Sequence, residues 1–362
     1  MQFSATLSWL IDEAAGLDGA DRFLSELGVR LKSQGIPIAG GALSLEVAHP
    51  LIARRAWLWR ADRDETSEAL GFASAGLAPS PGPPNEAERR WLSDLAPGEL
   101  HEAVVGAKAD GPWLAWVSPG GIGSDAAAEL WLVARFAAAP LAAISARATL
   151  AASLEAYLGR RSAAQALASP LRRVIGETIE AALVFADLRG FTALSESQPP
   201  ALVIAALDAW FDRIAGAIHA FGGEILKLIG DGVLAIFPVS GGRPGEACEA
   251  ALKAIEATRA GMARLNEERA RQGLPPLAFG AALHLGEMLW GNIGAANRLD
   301  FTAIGRAVNL VSRLEGLCKP LKHTALASGA FAAEVDARLI PLGGHALRGI
   351  AAPCEVFALP EG

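Results

Sequence analysis

The 362-residue chain is short of lysine: Lys32, Lys108, Lys227, Lys253, Lys319 and Lys322 are the whole set, and nearly all other positive charge is arginine. Acidic residues outnumber basic ones, 39 to 32, for a formal net charge of −7. That balance argues against a general nucleic-acid binder and against a protein held on an anionic membrane surface. Cysteine is equally scarce. Cys248, Cys318 and Cys354 form no CxxC pair and no zinc spacing, so they read as reduced structural thiols of a cytoplasmic protein. The six histidines are scattered, with no second ligand three or four residues from any of them. Long apolar runs are missing too. The chain is 52% hydrophobic, much of it alanine, yet the nearest candidate for a membrane span, 126–152, is interrupted by Glu129, Arg135, Pro140 and Arg147. No basic segment followed by an apolar one opens the chain, so neither a secretory signal nor a transmembrane segment is expected.

What is present divides into halves. At roughly 100–200 residues per domain the length predicts two domains, possibly three. Seven of the nine tryptophans fall before residue 150. That half opens with an amphipathic stretch, Leu7 to Leu31, followed by the strand-like runs GGALSLEVA and RAWLWRA. A loop from Gly71 to Asn85 centred on PSPGPP follows, then extended segments at HEAVVGAK and PWLAWVS. An alanine-rich helical segment runs from Ser124 to about Leu158, with Ser124 and Asp125 as candidate N-caps. Helix, antiparallel strands and a long closing helix resemble a GAF- or PAS-like sensory domain over 1–150, which a dimerisation scaffold would match equally. Trp57, Trp59, Trp113 and Trp116 read first as core and second as the lining of a pocket. Residues 151–176 form a basic linker broken by Gly159 and Pro170, and 177–362 alternate strands with helices.

Three segments of this second half carry chemistry. The buried strand AALVFAD ends at Asp187 and turns through LRGF into a helix near Thr192. A carboxylate at a strand end beside a helix N-terminus suits metal-phosphate binding, although alone it caps a turn more often. In FGGEILKLIGDGVLAIF two strands flank a GDG turn, ordinary hairpin chemistry for Asp231. Lys227 sits mid-strand between Leu226 and Leu228. A solvent-facing position explains it, but a chain that otherwise decorates its surface with arginine favours a specific donor there. In GNIGAANRLDFTAIGRAVNLVSRLEGL a strand around Asp300 to Ala303 leads through Gly305 into a helix. Asn309 and Arg313, four apart, share one of its faces, as a solvated pair or as a ribose and phosphate site.

Together and in this order, FADLRGFTALSE, GGEILKLIGDGVLAIF and RLDFTAIGRAVNLVSRLE closely resemble the class III nucleotidyl cyclase catalytic domain, in its bacterial adenylate cyclase branch. The YLGRR linker and the closing LRGIAAPCEVFAL extend the likeness, which covers Glu177 to Leu359. The resemblance implies an α+β fold, ferredoxin-like or palm-type, preceded by the GAF/PAS-like α/β domain and the helical linker. It implies that Asp187 and Asp231 bind two Mg²⁺ or Mn²⁺ ions, and that backbone N–H groups of Phe191 and Thr192 meet the phosphates. Lys227 and Thr302 would read adenine, where guanylate cyclases carry Glu and Cys. Asn309 would orient the ribose and Arg313 would stabilise the transition state. Arg348 stands where the family usually has a lysine for the terminal phosphates. The substrate implied is ATP and the product 3′,5′-cyclic AMP, formed in sites shared across a homodimer. A guanylate or relaxed-specificity cyclase and a non-catalytic nucleotide-binding module are the alternatives. A diguanylate cyclase would need GG(D/E)EF at the hairpin turn, whereas Gly222-Gly223-Glu224 precedes the strand. Nothing in the first half names its ligand.

Overall fold

The computed structural model describes residues 3–46, 52–72, 85–107, 111–168, 176–295 and 298–360. It divides into two compact units, Met1–Ser153 and Leu154–Gly362.

In the first unit the amphipathic stretch is two helices, α1 (Ala5–Asp12) and α2 (Ala20–Ser33). Gly16 and Gly19 interrupt it, glycine being costly inside a helix. The Ser4 hydroxyl caps α1 by accepting from the Leu7 N–H at 3.2 Å. Phe23, Leu24, Leu27 and Leu31 form the buried stripe of α2. Five strands follow: β1 (Gly40–Glu46), β2 (Ile52–Arg60), β3 (Glu65–Phe72), β4 (Glu99–Val104) and β5 (Trp113–Ser118). They pair antiparallel throughout in the order β3-β2-β1-β5-β4. Helix α3 (Glu86–Leu95) covers one face. The other is covered by α1, α2, α4 (Ser124–Phe136) and α5 (Ala138–Leu158). Strand β3 and helix α3 were not legible in the sequence, since ETSEALGF and EAERRWLSDL are mostly polar.

Every residue of β5 is buried, as expected of a strand covered on both faces. Trp59 and Trp116 meet edge to face at 6.2 Å. Glycines make the room: a Cβ on Gly28 would lie 2.4 Å from the Trp59 ring, and one on Gly41 2.3 Å from the Trp116 ring. All four tryptophans, Trp57, Trp59, Trp113 and Trp116, are buried. The N-cap of α4 is Gly123 rather than Ser124 or Asp125. Ser124 is already helical, and Asp125 sits in the first turn, where its charge opposes the helix dipole. Ser124–Leu158 is long and apolar enough, by length and composition, to cross a membrane. Here Leu130, Val133, Ala134, Leu141 and Ile144 are buried in the core of this unit, and Arg135 and Arg147 donate to the Gly106 and Leu17 carbonyls. The PSPGPP loop and Pro170 lie outside the described residues.

The second unit begins with α6 (Arg160–Ala168), started by Gly159 at φ +80. Then come β6 (Glu177–Arg189), α7 (Phe191–Ser197), α8 (Pro200–Ala220), β7 (Glu224–Ile229), β8 (Gly232–Pro238), α9 (Pro244–Arg271) and β9 (Ala278–Ala295). The chain continues through β10 (Arg298–Ile304), α10 (Arg306–Glu315), α11 (Cys318–Leu321), β11 (Ala325–Ser328), α12 (Gly329–Ala332), β12 (Ile340–His345) and β13 (Cys354–Ala358). The sheet runs β12-β13-β11-β9-β6-β8-β7, with β10 folded back on β9. β6 pairs antiparallel with both β8 and β9, and β11 runs parallel to β9, so the sheet is mixed and the fold α+β.

Alternation along β6 serves two cores. Ala182, Val184 and Ala186 join Trp210, Ile214 and Ile218 of α8 and Cys248 and Ile255 of α9. Ala181 and Leu183 join Ala307, Val311 and Leu314 of α10 and Cys318 of α11. All three cysteines are free. Burial pushes the thiols of Cys248 and Cys318 up to about 12, so both remain protonated and unreactive, in line with structural thiols.

Candidate active site

Strand β6 places Asp187 near the middle of the sheet's end. It runs two residues past this carboxylate because Asp187, Leu188 and Arg189 still pair with Gly280, Phe279 and Ala278 of β9. Gly190, at φ +74, then turns the chain into α7, whose first residues are Phe191 and Thr192. Asp231 lies in the turn between β7 and β8, after Gly230 at φ +64. The Trp210 Nε1 donates to the Asp231 carbonyl at 2.9 Å and pins this turn to α8.

The two aspartates are close enough for the charge of Asp231 to raise the pKa of Asp187, after burial, which is the larger cause. A third carboxyl, Glu315 at the end of α10, shares a hydrogen bond with Asp187. Burial first, then the Asp187 charge, push Glu315 up to about 7. Gly280 opens the space: a Cβ there would lie 2.2 Å from Glu315 Oε1. Sequence reasoning missed Glu315. Its one signal was an acid two residues after Arg313, which on a helix faces away from it.

Among the described residues no three His, Cys, Asp or Glu side chains converge as a full metal cage. Two half-buried carboxylates whose mutual repulsion raises a pKa nevertheless fit a hard divalent cation. Such an ion takes one or two protein carboxylates and completes its shell with water and phosphate oxygens.

A second group forms on β7, β10 and α10. The pairing of β7 with β8 shifts register between Ile225 and Lys227, an irregularity that re-aims the strand at the lysine. Lys227 forms an ion pair with Asp300 of β10, and both side chains are partly exposed, at 35% and 56%. Thr302 lies two residues further along β10, opposite Gly291. On α10, Ala307, Val311 and Leu314 face the core while Asn309 and Arg313 are exposed on the opposite side. Arg348 is exposed on the turn between β12 and β13. Among the described residues no hydrogen bond or ion pair joins Lys227, Thr302, Asn309, Arg313 or Arg348 to the aspartates. One chain thus brings Asp187 near Asp231, and Lys227 onto Asp300 of the strand that carries Thr302, and among the described residues no hydrogen bond or ion pair links these two groups to each other or to Arg348.

A cavity of about 540 Å³ lies beside β7, lined among others by Tyr157, Arg161, Phe211, His219, Ile225 and Lys227. Neither aspartate reaches it. Arg161 of α6 makes a two-pronged contact with Glu224 at the start of β7, at 2.9 and 3.2 Å.

The sequence model of the adenylate and guanylate cyclase catalytic domain matches residues 175–325. The chain is 34% identical over 183 residues to adenylate cyclase 1 of Rhizobium meliloti, covering 49% of this chain and 27% of that protein. It is 35% identical over 141 residues to an adenylate cyclase of Anabaena cylindrica, covering 38% of this chain and 27% of that one. The chain therefore spans about a quarter of the length of these curated relatives. The fold matches a bacterial light-regulated adenylyl cyclase at a TM-score of 0.52 and 21% identity, over 72% of this chain and 85% of the other. Residues 175–325 thus match the catalytic domain of the adenylate and guanylate cyclases, the domain of the class III nucleotidyl cyclases.

Proposed function

We propose that the protein is an adenylate cyclase that converts ATP to 3′,5′-cyclic AMP and pyrophosphate in sites shared between two copies of the chain. The observation that carries this reading is the separation just described. A carboxylate pair fit for cations and a partly exposed set of Lys227, Thr302, Asn309 and Arg313 occur in the same chain with no hydrogen bond or ion pair between them among the described residues. A symmetric dimer would bring each half to the other's complement and make two equivalent sites.

In that arrangement Asp187 and Asp231 would hold two Mg²⁺ or Mn²⁺ ions. These ions would lower the pKa of the ribose 3′-hydroxyl and neutralise the triphosphate and the departing pyrophosphate. The chain's own groups do the rest. Lys227 donates to adenine N1, and the Thr302 hydroxyl accepts from the N6 amine. Asn309 orients the ribose, and Arg313 lies against the charge that builds on the α-phosphoryl oxygens. The backbone N–H groups of Phe191 and Thr192 and the guanidinium of Arg348 face the remaining phosphates. The similarity to two adenylate cyclases supports adenylate over guanylate activity, as do the lysine and threonine themselves.

The first unit is read as a sensory or dimerisation domain of GAF/PAS-like build, supported by its antiparallel sheet between helical layers. The Arg161–Glu224 contact supports regulation through the linker, because it fixes α6 to the strand that carries Lys227 three residues later. The reading places the protein in the cytoplasm.

The test is turnover by the purified full chain with Mn²⁺ and either ATP or GTP, products being separated by chromatography. Cyclic AMP in excess is the expected result. Equal cyclic GMP would shift the reading to a relaxed-specificity cyclase. Nucleotide binding without product would make the domain a regulatory module.

A further inference from the structure

The first unit contains a cavity of about 330 Å³ between its sheet and α4. Its floor is a cross-strand pair. His101 of β4 lies directly opposite Trp116 of β5, with Ala103 opposite Leu114 beside them. Its roof is one face of α4, where Ala127, Leu130, Trp131 and Ala134 recur at helical spacing.

Two polar atoms of residues that line this cavity have no hydrogen-bond partner among the described residues. Trp116 Nε1 and His101 Nε2 are both buried without a hydrogen bond. Trp116 is only 2% exposed. Buried indole N–H groups ordinarily find an acceptor. The neighbouring tryptophans do: Trp59 donates to Asp64 at 2.8 Å, and Trp113 to Glu102 at 3.4 Å. The Trp116 ring cannot turn away to find one, since it is wedged against Trp59 and the Cα of Gly41. The Glu99 carboxylate stands 3.8 Å from His101 Nε2, beyond hydrogen-bond length.

We propose that this cavity is a binding site for a small, largely apolar, uncharged molecule whose carbonyl oxygen accepts from Trp116 Nε1 and His101 Nε2. The volume suits a compact organic ligand, and an apolar lining with a few convergent donors is the usual make-up of such sites. Charge selects the acceptor. Glu99 flanks the donors on one side, and the Glu102 carboxylate is already engaged by Arg89 and Trp113. A ligand carboxylate would meet these acids with no arginine or lysine among the described residues that line the cavity, whereas a neutral carbonyl would not. Trp131, 59% exposed, stands at the mouth. This site is independent of the nucleotide chemistry of the second unit.

The probe is acetophenone, titrated into the full chain with ¹⁵N-labelled indoles, with benzoate and ethylbenzene as matched comparators. The expected result is a saturable shift of one indole N–H resonance, the one absent from Trp116→Phe. Benzoate and ethylbenzene should bind about tenfold or more weakly, one for its charge and one for its missing acceptor. Ala127→Trp, at an exposed position on the rim, should fill the cavity and abolish the shift while the other indole resonances stay in place. Saturation that persists in Ala127→Trp would overturn the site, as would no saturable shift with acetophenone or exchange with water alone at Trp116. Benzoate binding as tightly as acetophenone would overturn the neutral-acceptor assignment.

Discussion

Each unit has an interior strand with residues buried on both faces, and the two strands are filled in different ways. Along β5 the side chains are large, with Trp113, Leu114 and Trp116 inside six residues, and glycines elsewhere give way to them. Along β6 three of the seven buried residues are alanines, Ala181, Ala182 and Ala186, and none is aromatic. The large residues of the first unit need no chemistry to explain them, and they leave a void where α4 does not fill the space above β4 and β5. The small residues of the second unit let α9 and α10 come close to the strand. The middle of α8 brings Trp210 to the Asp231 carbonyl, and the end of α10 brings Glu315 to Asp187. Packing made a cavity in one unit and a charged cluster in the other.

Breaking this contrast should have its largest effect at the cluster. Asp187→Ala should lower cyclase turnover by about a thousandfold or more, since a lost metal contact costs several kcal/mol of transition-state stabilisation. The tryptophan fluorescence of the first unit should be unchanged. Near-normal turnover would remove the metal assignment.

Next comes complementation. Asp187→Ala and Arg313→Ala chains, each inactive alone, should recover about a quarter of the wild-type rate when mixed equally. Half of the dimers are then mixed, and each keeps one of two sites. No recovery, with subunit exchange confirmed, would sink the shared site.

Third is the pH dependence of stability in the second unit. His284 is buried, its Nδ1 lies 2.7 Å from Ser328 Oγ, and burial pulls its pKa down to about 4 from 6.5. The unfolded chain therefore binds a proton that the folded chain refuses between those values. The contribution is present in full above pH 6.5 and is lost as the pH falls towards 4, by about 3 kcal/mol at most. Denaturant midpoints measured from pH 7 to 4.5 should fall less steeply in His284→Gln than in the wild type.

Fourth, Gly28→Ala should destabilise the first unit by about 1–3 kcal/mol through overpacking against Trp59, seen as a lower melting temperature of the tryptophan-rich transition. The least effect is expected from Lys227→Ala, which should cut the preference for ATP over GTP by about tenfold, one charged hydrogen bond's worth, and act mainly on KM.

The same contrast explains what could be read from the sequence. The catalytic half was legible because its groups sit in short contiguous motifs. Asp187 and the turn after it are five residues of chain, as are Lys227 and Asp231 with the hairpin between them. Chemistry that needs fixed spacing leaves a local trace. Glu315 left little trace because its partner Asp187 lies on another element, and only the helix end and the gap at Gly280 bring them together. Asp300 was visible as a residue but not as the partner of Lys227. In the first half β3 and α3 were missed because their sequences are mostly polar. The His101–Trp116 cavity could not have been seen, since its walls come from three segments and its content is a space. The tryptophans did read correctly as core.

The Lys227–Asp300 pair has one further consequence. On the proposed reading the lysine that recognises the purine is not waiting empty-handed. It already holds a tethered carboxylate that any incoming base must displace. Recognition becomes an exchange reaction, and the enzyme senses only the difference between adenine and its own aspartate. Such a built-in competitor weakens with ionic strength, because both members are partly solvated. Added salt should therefore loosen the internal occupant while it weakens the attraction of the triphosphate, so the two influences on nucleotide affinity pull in opposite directions. Asp300→Asn would isolate them by abolishing the first and leaving the second.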